Sequence, residues 1–181
     1  NKIVISYQDD GNSNYGTAVV GTVTGTAISF GTPVVFESAA TYYTSATFDS
    51  ASNKVVIAYQ DNGNWSSGTA IVGTVSGTSI SFGTAVVFEA ATTTYVSATF
   101  DSNSNKVVIA YTDVSDSNKG TAIVGTVSGT AISFGTAVMY EDAQTQYTAC
   151  TFDAGAGTVV IAFKDQENSS KGTVVLGTVS G

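Results

Sequence analysis

The chain contains no histidine and no arginine, and only one cysteine, one proline and one tryptophan among 181 residues. Each scarcity removes a class of chemistry. Without histidine there is no imidazole acid–base catalyst and no Ser–His–Asp triad. Zinc is left with Cys150 and carboxylates, which is no ligand set for a structural site. A lone cysteine cannot form a disulfide within the chain. The basic residues are six lysines against 14 acids, for a net charge of −8. That balance excludes a phosphate-binding surface for nucleic acid and gives no attraction to anionic membranes. No apolar run approaches the roughly 20 residues of a spanning helix, so no membrane insertion is expected. Charged residues make up only 11% of the chain, well below the usual quarter or so. Threonine, serine, glycine and asparagine supply the polar surface instead. A composition of this kind suggests an extracellular, cell-surface or virion protein. Hydrophobic residues reach 43%, enough to build a core.

What the sequence has in abundance is itself. Tyr7-Gln8-Asp9 returns as Tyr59-Gln60-Asp61, Tyr111-Thr112-Asp113 and Phe163-Lys164-Asp165, at a constant step of 52 residues. Phe48-Asp49, Phe100-Asp101 and Phe152-Asp153 keep the same step, as do Phe36-Glu37, Phe88-Glu89 and Tyr140-Glu141. Such a period marks a repeat architecture. The chain is therefore read as a single repeat domain, 1–181, with repeats 1–52, 53–104, 105–156 and a partial 157–181, about three and a half copies.

Each repeat reads as four strands, in the second copy Val55–Tyr59, Thr69–Val75, Ile80–Phe88 and Tyr95–Phe100. β-branched and aromatic residues fill these segments, and Gly, Asn, Asp and Ser mark the breaks. "KVVIAY" (Lys54–Tyr59) is continuously apolar, as strands covered on both faces are. Phe48, Phe100 and Phe152, with Val56, Ile57, Val108, Ile109, Val160 and Ile161, are accordingly expected to lie buried between sheets.

The segment "YVSATFDSNSNKVVIAYTD" (Tyr95–Asp113) resembles the inner strand, hairpin and second strand of WD-repeat-like blades, without the Trp-Asp pair. The chain as a whole resembles a β-propeller with near-identical blades, and more loosely the repeat arrays of marine viral and bacterial surface or tail-fibre-like proteins. The resemblance implies an all-β fold of propeller-type, four-stranded antiparallel blades. The alternative is an open β-repeat array or filament. On this phase the chain opens on a second strand and closes on a third, giving 14 strands. Both end strands are then unpaired edges, expected to be covered by self-association or by neighbouring repeats of a longer chain.

Asp9, Asp61, Asp113 and Asp165 each follow a strand, and Asp49, Asp101 and Asp153 each open a hairpin. Repetition at every copy reads as turn formation, with the carboxylate accepting backbone N–H groups, rather than as one catalytic constellation. Calcium is the one cofactor left open, because "DDGNSN" (Asp9–Asn14) and "DNGNWS" (Asp61–Ser66) alternate oxygen ligands. Both lack the terminal glutamate of an EF-hand. No enzyme is expected. Cys150 stands in the register of Ala46 and Ala98 and reads as a small packed residue.

The hairpin "DSASNK/DSNSNK" and the turn "TGTA/SGTS/SGTA" hardly vary between copies. The loops after Tyr-x-Asp, and "SAATY", "AATTT" and "DAQTQ" from residues 38, 90 and 142, vary freely. Alternate connections share a face, so both variable sets are expected at one end of the sheets, where binding can be tuned. The candidate ligand-binding residues there are Asn64, Trp65, Tyr15, Tyr43, Tyr95 and Tyr147. They predict a non-enzymatic binding or adhesion module that recognises a glycan or surface ligand weakly and multivalently. A purely structural repeat of a fibre, filament or virion is the competing expectation.

Overall fold

The computed structural model describes residues 1–180. Its strands are β1 (Lys2–Asp9), β2 (Tyr15–Thr24), β3 (Ala27–Phe30), β4 (Val34–Asp49), β5 (Lys54–Asp61), β6 (Ser67–Ser76), β7 (Ser79–Phe82), β8 (Val86–Asp101), β9 (Lys106–Asp113), β10 (Lys119–Ser128), β11 (Ala131–Phe134), β12 (Val138–Asp153), β13 (Thr158–Asp165) and β14 (Lys171–Gly177). Helix among the described residues is limited to one 3-10 turn, Asp10–Asn12.

The protein is all-β and antiparallel, but the closed ring of separate blades does not form. All 14 strands are linked in one open sheet, ordered β1-β2-β4-β5-β6-β8-β9-β10-β12-β13-β14, with β3, β7 and β11 beside β2, β6 and β10. The reason lies in β4, β8 and β12, each 16 residues long. The first part of β8 pairs with β6 (Ala70↔Val86, Gly68↔Glu89), and its second part pairs with β9 (Ser97↔Ala110, Asp101↔Lys106). One strand thus serves two neighbourhoods, so the four-strand units are never separated. The path ends at two unpaired edges, those of β1 and β14.

The expected strand count is met with different boundaries. The third strand of the second repeat, read as Ile80–Phe88, is broken after Phe82 and resumes at Val86. At the break Gly83 N donates to Val72 O at 2.9 Å. The stretch "AATTT", read as a loop, is strand interior within β8.

Two devices fix the register. Two-residue turns led by Gly25, Gly77 and Gly129 sit at φ of 61 to 62°, a region open to glycine without penalty. At the same end of each unit, Asp49 Oδ1 accepts from Ala51 N (2.9 Å) and Ser52 N (3.0 Å), while Oδ2 accepts from Ser52 Oγ at 2.7 Å. Asp101 repeats this set with Asn103 and Ser104. These acids close hairpins, as their repetition suggested.

The core lies between successive sheet segments. β5 is buried along nearly its whole length. Val55, Ile57 and Tyr59 join Ala18, Phe36 and Ile71 on one side. Val56 and Ala58 join Val96, Ala98, Val107, Ile109 and Tyr111 on the other. A strand sandwiched in this way needs apolar residues at consecutive positions. Each fully buried Ile or Val contributes about 1.5–3 kcal/mol.

Val56, Ile57, Val108, Ile109 and Ile161 are buried as expected. Phe100 and Phe152 are partly buried against the core, and Val160 is half-buried. Phe48 departs from the expectation. It is 54% exposed, because no strand lies beside β1 to close over it.

Candidate functional site

In the second half of each long strand two residues interrupt the pairing with the following strand. The register jumps between Tyr42 and Ser45, between Thr94 and Ser97, and between Gln146 and Ala149. The first residue of each of these three bulges is a tyrosine in the left-handed region: Tyr43 (φ 50°), Tyr95 (φ 51°) and Tyr147 (φ 54°). A bulky side chain in that conformation costs about 1–3 kcal/mol and persists only where the surroundings enforce it.

The residue after each tyrosine supplies the enforcement. Thr44 Oγ1 donates to Ser6 O at 3.2 Å, across to the preceding segment. Val96 is buried in the core, and Thr148 Oγ1 shares a hydrogen bond with Tyr140 OH at 3.1 Å. Driving the second residue inward swings the tyrosine outward. A bulge also blunts an otherwise unpaired strand edge.

The three tyrosines stack. Ring centroids are 5.2 Å apart for Tyr43–Tyr95 and 5.1 Å for Tyr95–Tyr147, with interplanar angles of 53° and 54°. These values fall in the favourable tilted range, worth about 0.5–1.5 kcal/mol per pair. The outer rings remain open, Tyr43 at 42% and Tyr147 at 67% exposure. The middle Tyr95 hydroxyl is pushed up in pKa, first by partial burial and then by its two neighbours.

The variable segments meet beside this ladder. Thr93 N donates to Ser66 O at 3.0 Å, and Thr92 Oγ1 donates to Trp65 O at 3.4 Å. Asn62 N donates to Ala40 O at 2.9 Å. The Trp65 loop is therefore joined to β8 two or three residues before Tyr95. Trp65 itself is 88% exposed, with φ at 57°. Asn64 is exposed, its N donating to Asp61 O at 3.2 Å and its O accepting from Ser67 N at 3.0 Å. Tyr15 is half-buried at the start of β2, paired with Asp9 and Ala40. The structure gathers Tyr43, Tyr95 and Tyr147 into one array and sets Trp65 and Asn64 on an adjoining loop. Tyr15 makes no ring contact with the array.

The repeated carboxylates near this end are engaged in hydrogen bonds. Asp61 Oδ1 accepts from Gly63 N at 2.9 Å, and Asp9 Oδ1 accepts from Gly11 N at 3.1 Å. Asp113 Oδ1 accepts from Ser115 N and Asp116 N, and Asp165 Oδ1 accepts from Glu167 N and Asn168 N. Glu37 and Glu89 accept from the buried hydroxyls of Tyr59 and Tyr111 at 3.2 and 3.3 Å. Burial, then repulsion from Asp61, raises the pKa of Glu37. Burial lifts both tyrosine hydroxyls far above their usual range. Cys150 is half-buried, its Sγ donating to Ser97 O at 3.3 Å, and burial pushes the thiol up. These groups are held in turns or in partly buried hydrogen bonds.

Tyrosine was legible as a candidate from its polar setting. Its backbone geometry was not, because nothing in "TYYTSATF" favours a left-handed residue. Compared with known proteins, the chain matches no family model and no curated sequence.

Proposed function

We propose that this protein is a non-enzymatic recognition or adhesion module that binds carbohydrate weakly and multivalently through the tyrosine ladder and its flanking loops. The observation that carries the reading is the ladder itself. Three exposed or half-exposed rings stand on strained backbone at equal steps along one edge. Aromatic rings offer an apolar face and a polar rim, the combination a sugar ring uses. Each repeat contributes one ring, so affinity would come from simultaneous contacts rather than from one deep pocket. Trp65 and the neighbouring loop hydroxyls and amides would tune selectivity, since they differ from copy to copy. An exposed setting outside the cell or on a virion agrees with this surface. The engagement of Asp9, Asp61, Asp113 and Asp165 in turns supports a binding role over hydrolysis.

One observation favours the second reading, a purely structural repeat: the tyrosines also contact one another and so stabilise the stack. A glycan array separates the two. Reproducible binding that is lost in Tyr147→Ala and weakened in Trp65→Ala, both still folded by circular dichroism, supports recognition. Binding that is absent, or indifferent to both substitutions, defeats it.

A further inference from the structure

We propose that Tyr43, Tyr95 and Tyr147 form an oxidative cross-linking site, at which hydrogen peroxide acting through a haem peroxidase joins neighbouring phenol rings into dityrosine and staples successive repeats together. This role does not rest on carbohydrate recognition, because it uses the contact between the rings rather than their outer faces. Neighbouring rings already touch, with centroids 5.2 and 5.1 Å apart, although the residues stand 52 apart in the chain. All three reach solvent, Tyr43 and Tyr147 as exposed side chains and Tyr95 half-buried between them. The left-handed backbone fixes where each ring leaves its strand. What freedom remains is rotation about the terminal torsion, which is broad for tyrosine. The tilts of 53° and 54° suit the product too. Two rings joined beside their hydroxyls are twisted, because a flat pair would drive the flanking groups together.

The hydroxyls distinguish these tyrosines from the packed ones. Tyr59 and Tyr111 donate to Glu37 and Glu89, and Tyr140 shares a hydrogen bond with Thr148. The Tyr95 hydroxyl instead feels the other ladder phenols, its pKa raised first by partial burial and then by Tyr43 and Tyr147. Packing alone does not demand the oxygen. Phe163 stands where Tyr59 and Tyr111 do, and Phe36 and Phe88 stand where Tyr140 does, yet every ladder position carries a phenol. Cys150 is the only cysteine, so no disulfide can tie one repeat to the next. Phenol coupling is a covalent link that this composition does permit. Each phenol gives up one electron and its hydroxyl proton, the proton passing to water. The phenoxyl radical so formed carries unpaired spin on the carbons ortho to oxygen. One C–C bond forms between ortho carbons of neighbouring rings. Each of those carbons then releases its hydrogen as a proton while each oxygen takes one up, restoring two phenols. The net change per link is the loss of two hydrogen atoms, and one hydrogen peroxide is reduced to two waters. Tyr95 is a partner in either link.

The test treats the dilute full chain with hydrogen peroxide and a haem peroxidase, then unfolds it and digests it with trypsin. The lysines place Tyr43, Tyr95 and Tyr147 in separate peptides, 3–54, 55–106 and 120–164. Dityrosine fluorescence is expected from a chain that stays monomeric on a denaturing gel. Peptide 55–106 should be found joined to 3–54 or to 120–164, each pair lighter by two hydrogens than its parts. The yield should exceed severalfold that of the chain oxidised in urea. Tyr95→Phe, which keeps the ring and the fold, should abolish both links, whereas Tyr7→Phe, outside the ladder, should leave them unchanged. The linked chain should need more urea to unfold, since a bond closing a long loop restricts the unfolded state. Links that survive Tyr95→Phe, coupling only between chains, an equal yield from the unfolded chain or an unchanged urea midpoint would overturn the proposal. So would treatment that oxidises Trp65 and leaves the ladder peptides unlinked.

Discussion

Phe48 and Phe100 occupy the same register in successive repeats, opposite Val55 and Val107, and truncating each to alanine separates sequence equivalence from physical environment. Phe48 is 54% exposed. A phenylalanine side chain offers roughly 200 Å², so less than half is withdrawn from water, and at about 25 cal/mol per Å² its removal costs about 2 kcal/mol. It leaves no closed void, because the site already opens to solvent. Phe100 packs against the cluster of Val56, Val107 and Ile109. Its removal loses more buried area and leaves a cavity, for about 3–4 kcal/mol. The expected gap is about 1–2 kcal/mol, outside the usual error of paired measurements. Urea unfolding of the two variants and the parent, at equal m, measures it. Equal costs, or a larger cost for Phe48→Ala, would mean that β1 is covered in solution or that the stacking order is wrong.

Other expectations follow from single contacts. Glu37→Gln removes a carboxylate whose folded pKa is raised by burial and by Asp61. A raised folded pKa means that the protonated form stabilises the fold, and that this contribution is lost as pH rises through the folded value. The variant should therefore gain stability relative to the parent above the carboxylate range and lose the advantage in acid, as pH-dependent thermal melts would record. Gly83→Ala would place a methyl on the backbone carbonyl of Thr130, whereas the same change at Gly135 meets nothing closer than 3.8 Å. The first should cost about 3 kcal/mol as an overpacking defect, and the second under about 1 kcal/mol. A similar effect of both in urea unfolding would contradict the way the segments abut. Tyr147→Gly should relieve a strained φ while losing one ring contact, so these two effects of about 1 kcal/mol each nearly cancel in the melting temperature.

The sandwiching of β5 was legible because "KVVIAY" leaves no polar position for a wet face. The hairpin acids were legible because a carboxylate opening a Ser/Asn-rich turn has nearby N–H groups to accept from. The break at Gly83–Ala85 was not, since Gly-Thr-Ala is also tolerated within a strand. The continuity of β8 through "AATTT" was hidden for the opposite reason. Polar residues there stay extended because the backbone finds partners in the adjoining loops, as Thr93 N does at Ser66 O. Local composition cannot report a partner that is distant in sequence. The tyrosines were singled out one by one from the sequence, but their mutual contact is a property of stacking. It arises only when segments 52 residues apart are superposed.

The long strands also set how force and disorder travel through this molecule. Because Val86–Asp101 is hydrogen-bonded to β6 along one half and to β9 along the other, melting one unit strips a backbone rail from the next. In a one-dimensional array, neighbour coupling of this kind sets how far a defect spreads. Here the coupling runs through continuous covalent chain as well as through side-chain contact. Under tension the units should not pop open one after another like beads. The stack should instead resist as a single stiff body and then yield over more than one unit at once.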